Sequence, residues 1–108
     1  VRHTGDSEQN LVHIRHDAGT EILLAVFSDL AGGYGCVDVF GTDGRVAAQF
    51  GDTFTAFRRQ LLAFVEYLRT GLSPVPWHET VEQMKIVIAA LRSQAEAGRL
   101  VELSEITP

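Results

Sequence analysis

Through the first fifty residues the apolar positions either alternate with polar ones or run together over strand length. Leu11 to His16 alternates, with Val12 and Ile14 on one side and His13 and Arg15 on the other, a period of two that predicts a half-buried strand. Asp17-Ala18-Gly19 is a turn signal, and the β-rich run Glu21 to Phe27 follows, so the two segments predict a hairpin. A glycine-rich connection, Ser28 to Gly35, leads to Cys36–Phe40. That strand is predicted to return as Arg45–Phe50 around Gly41-Thr42-Asp43-Gly44. The polar opening, residues 1–10, carries no pattern and is expected to be poorly ordered.

The period changes after Gly51-Asp52. Phe57, Leu61, Phe64, Val65 and Leu68 recur at helical spacing and predict a helix over Phe54–Arg69, capped by Asp52 or Thr53 and stopped at Gly71. Val81, Met84, Ile88, Leu91 and Ala95, broadened by Val87 and Ala90, predict a second helix ending at Gly98, with Leu100–Leu103 as a short final strand. Between the helices, Pro74 and Pro76 hold the chain extended, because each removes a donor and disfavours helix in the residue before it.

These elements predict an α+β fold: a mostly antiparallel open sheet with two helices packed on one face. Val12, Ile14, Ile22, Leu24, Val26, Val37 and Val39 would face the helices. Leu23, Ala25, Phe27, Cys36 and Phe40 would then lie on the other face among His13, Arg15, Glu21 and Asp38. An antiparallel sheet covered on one side normally shows a polar outer face. The half-apolar face is therefore expected to be covered by a partner, with Leu23, Ala25, Phe27, Cys36 and Phe40 as interface residues.

Composition narrows the function classes. A chain of 108 residues is expected to form a single domain, and 45% hydrophobic with 21% charged residues is ordinary for a globular one. The net charge of −5, without a basic cluster beyond Arg58–Arg59, argues against a nucleic-acid partner. Cys36 is the only cysteine, so no intrachain disulfide forms and a cytoplasmic setting is expected. No apolar run has the length of a membrane-spanning helix. The start at Val1 leads us to expect a fragment of a larger protein.

No catalytic centre is legible. His3, His13, His16 and His78 have no zinc-site spacing and read as surface residues. Ala31-Gly32-Gly33-Tyr34-Gly35 leads into a strand rather than a helix, so it reads as a loop, with Tyr34 as a candidate substrate-loop or interface residue. Glu79 and Glu82 suit the start of a helix, and Trp77 reads as a packing anchor. No residue is assigned to catalysis, to a cofactor or to a metal.

The stretch Arg69-Thr70-Gly71, Pro74-Val75-Pro76, Ala90-Leu91-Arg92-Ser93-Gln94-Ala95 and Gly98-Arg99 resembles the C-terminal end of the Gfo/Idh/MocA oxidoreductases, and Phe40-Gly41-Thr42-Asp43-Gly44 resembles that family's hairpin. The resemblance runs from about Leu11 to Leu103. It implies a two-domain parent whose Rossmann domain binds NAD or NADP. The parent would transfer hydride to or from a sugar, polyol or related carbonyl, and its C-terminal sheet would serve the substrate pocket and a homo-oligomer interface. The Rossmann fingerprint and the family's catalytic lysine segment are absent, so the chain alone is expected to be inactive and to bind no cofactor. The alternative is a free-standing dimerisation or scaffold module.

Overall fold

The computed structural model describes residues 1–6, 8–28 and 35–107, and is α+β. Tyr34, with most of its glycine-rich loop, lies outside the described residues. The chain divides into two compact units, one built from residues 1–29 and 75–108 and the other from residues 30–74.

In the first unit β1 (Arg2–Gly5), β2 (Gln9–Arg15) and β3 (Glu21–Phe27) form an antiparallel sheet in that order. The polar opening, expected to be poorly ordered, supplies β1. Its register pairs Arg2 with His13, His3 with Val12 and Thr4 with Leu11. The strand escapes pattern reading because its one buried side chain is a histidine. The β2–β3 turn forms as predicted, with His16 donating its N–H to the Thr20 carbonyl at 2.9 Å and Gly19 donating to the His16 carbonyl at 2.9 Å.

The helix α2 (Trp77–Ala95) packs on β1 and on a closing 3₁₀ turn, Leu103–Glu105. The face it buries is not the predicted stripe. Ala89 and Ser93 are fully buried and Ile86 and Ala90 half-buried, whereas Met84, Ile88 and Leu91 remain exposed. Two small side chains let the helix approach the strand more closely than a leucine stripe would allow, and the larger residues are displaced to one flank. Trp77, read as a packing anchor, is 78% exposed.

The end of α2 departs from the usual glycine stop. Gly98 donates its N–H to the Ser93 carbonyl at 2.8 Å and Ala97 donates to the Gln94 carbonyl at 3.2 Å, the paired bonds of a Schellman motif. Ala97 holds the left-handed position at φ 54°, and Gly98 follows at φ 82°. Any Cβ at Gly98 would sit 3.0 Å from the His3 carbonyl oxygen, so glycine is required there by close approach as well as by its φ. The predicted last strand is instead an extended segment. Val101 and Val1 exchange both backbone bonds at 2.8 Å, and the chain then turns into the 3₁₀ element. Val101, Ala89 and Ile106 form the small core, flanked by Val1 and Leu103.

The second unit holds a separate hairpin, β4 (Cys36–Gly41) with β5 (Gly44–Gln49), and the helix α1 (Thr53–Thr70). The strands thus fall into two sheets rather than one, because no described strand continues the ladder from β3 to β4. Asp52 caps α1 by accepting the Thr55 N–H at 2.9 Å, and Gly71 ends it at φ 72°, both as predicted. No residue of α1 is buried, and the stripe Phe57, Leu61, Phe64, Val65 and Leu68 is exposed. The predicted helix-facing set is accordingly split. Val12 and Ile14 are buried, whereas Ile22, Leu24, Val26, Val37 and Val39 are exposed.

Candidate functional site

A concavity lies in the first unit, between the β2–β3 face and α2. Asn10, Val12, Leu24 and Val26 rise from the sheet, and Ile86, Val87, Ala90, Leu91 and Gln94 descend from the helix, around a groove of about 530 Å³. It exists because α2 packs on β1, at one edge of the sheet, and leaves the side chains of β3 exposed.

His3 marks its polar end. Read from sequence as a surface residue, it is only 5% exposed, and its Nε2 donates to Asn10 Oδ1 at 2.7 Å. Gln94 Nε2 reaches the same oxygen at 3.4 Å. A small apolar body with one hydrogen-bonding end matches these walls. The signal for His3 was absent from the sequence, since a buried polar residue in a polar segment leaves no periodic trace.

Behind the groove, Ser93 ties three segments together. Its Oγ accepts the His3 N–H at 2.8 Å and donates to the Arg99 carbonyl at 2.6 Å. Arg99 in turn grips Glu105, Nη2 to Oε2 at 2.9 Å and Nη1 to Oε1 at 3.2 Å, and also pairs with Glu96. The Arg99 guanidinium, helped by the Glu102 N–H, pulls the Glu105 carboxyl down to about 2, and Arg99 is itself held above its ordinary value. The ordinary glutamate value is 4.5, so the unfolded chain takes up this proton first as pH falls. Stability from the pair is therefore complete above about pH 4.5 and declines as pH falls through the folded value near 2. A carbon-detected titration of Glu105 should show its midpoint near 2, returning toward 4.5 in Arg99→Ala.

A second cleft, on the opposite face of the sheet, is lined by Arg2, His13, Arg15, His16, Leu100 and Glu102 among others. Glu21 binds His13 Nε2 at 2.5 Å and Arg15 Nε at 2.7 Å, and both partners hold its carboxyl below the usual range. His16 turns its Nδ1 back to accept the Ala18 N–H at 3.0 Å. Among the described residues, no three His, Cys, Asp or Glu side chains come together to hold a metal.

The sequence-predicted interface residues fall on two sheets, one in each unit. Leu23, Ala25 and Phe27 share one face of β3, whereas Cys36 and Phe40 share one face of β4 in the other sheet. All five are exposed. Phe40 is 75% exposed, with the Arg45 guanidinium 5.5 Å above its ring. Gly41 to Gly44 closes the β4–β5 hairpin and opens no helix, so this turn is not the strand–turn–helix of a dinucleotide-binding loop.

Among the described residues no helix is long and apolar enough to cross a membrane. No protein-family model, curated protein or solved structure matches the chain.

Proposed function

We propose that this chain is the C-terminal substrate-pocket and oligomerisation part of a Gfo/Idh/MocA-like NAD(P)-dependent oxidoreductase acting on a sugar, polyol or related carbonyl, inactive on its own. The observation that supports the reading most is where the resembling motifs fall. Arg69-Thr70-Gly71 ends α1, Pro74-Val75-Pro76 delivers the chain to α2, and Arg92, Ser93, Gly98 and Arg99 are the joints between α2, β1 and the C-terminal segment. Residues at such joints are those a fold would hold at constant spacing. The nicotinamide would be held by the parent's Rossmann domain, and the setting would be the cytoplasm, with no nucleic-acid partner.

The exposed Leu23, Phe27 and Phe40 favour a second reading, a free-standing dimerisation module. The coding sequence upstream of Val1 separates the two. A frame holding a strand–GxGxxG–helix and a catalytic-lysine segment is expected, and a start codon close to Val1 without such a frame would remove the oxidoreductase reading. NADH titrated into the isolated chain should leave its fluorescence unchanged, and binding in the micromolar range would equally count against the reading.

A further inference from the structure

We draw no further inference here: the strongest candidate, the apolar groove between the β2–β3 face and α2 in the first unit, is an unpartnered face, and nothing in the structure shows what covers it.

Discussion

Replacing Gly5 with alanine is expected to cost the first unit about 3–4 kcal/mol, a large part of the stability of a small fold. Gly5 sits at φ 104°, and a Cβ there would lie 1.8 Å from the Gln9 carbonyl oxygen. That oxygen accepts the Asp6 N–H at 3.1 Å, while Asp6 Oδ1 accepts the N–H groups of Glu8 and Gln9 at 2.8 and 2.9 Å. The colliding atom is thus backbone, pinned by the turn it belongs to, and no rotamer change relieves the overlap. Gly19→Ala makes the comparison, since Gly19 has a similar φ of 86° with nothing within 4 Å of the added Cβ. It should cost about 1 kcal/mol, the price of the backbone conformation alone. Urea titration should show a lower midpoint for Gly5→Ala with an unchanged slope. Equal effects of the two substitutions would mean that the β1–β2 turn is not as tight as the structure has it.

Removing one hydroxyl is expected to have the next largest effect. In Ser93→Ala the cavity is a single oxygen, so packing loss is slight, but the buried His3 N–H loses its Ser93 acceptor and the Arg99 carbonyl loses its Ser93 donor. A buried donor left unpaired costs about 1–3 kcal/mol, and with the carbonyl included we expect about 2–3 kcal/mol. The signature that separates this from generic destabilisation is local. Exchange of the His3 amide should accelerate more than that of Leu24, whose bond to β2 the substitution leaves intact. Ser104→Ala, at an exposed position of the closing turn, should be close to neutral. A Ser93→Ala protein as stable as wild type would remove Ser93 as the tie between β1, α2 and the C-terminal segment.

Local structure was largely written in periodicity and punctuation. The period of two in Leu11–Arg15, the turn at Asp17–Gly19, the hairpin at Gly41–Gly44, the Asp52 cap and the Gly71 stop all appear where they were expected. Each depends on interactions within a few residues, and a sequence window contains all of them. The groove was not legible at all, because His3 and Asn10 meet Gln94 only when distant segments are brought together.

The face of α2 shows the same boundary. Apolar periodicity marked Val81, Met84, Ile88 and Leu91, yet the helix turned Ala89 and Ser93 inward. Hydrophobicity scales rank a residue by what it gains on burial, and they cannot register that a small side chain allows two backbones to meet or that a hydroxyl finds both its partners. Those gains exist only once β1 and the Arg99 segment are in place. Element type, turns and caps follow from the chain's local chemistry, as does the supply of apolar surface. Which of that surface is covered and where a buried histidine can be satisfied were decided by long-range pairing.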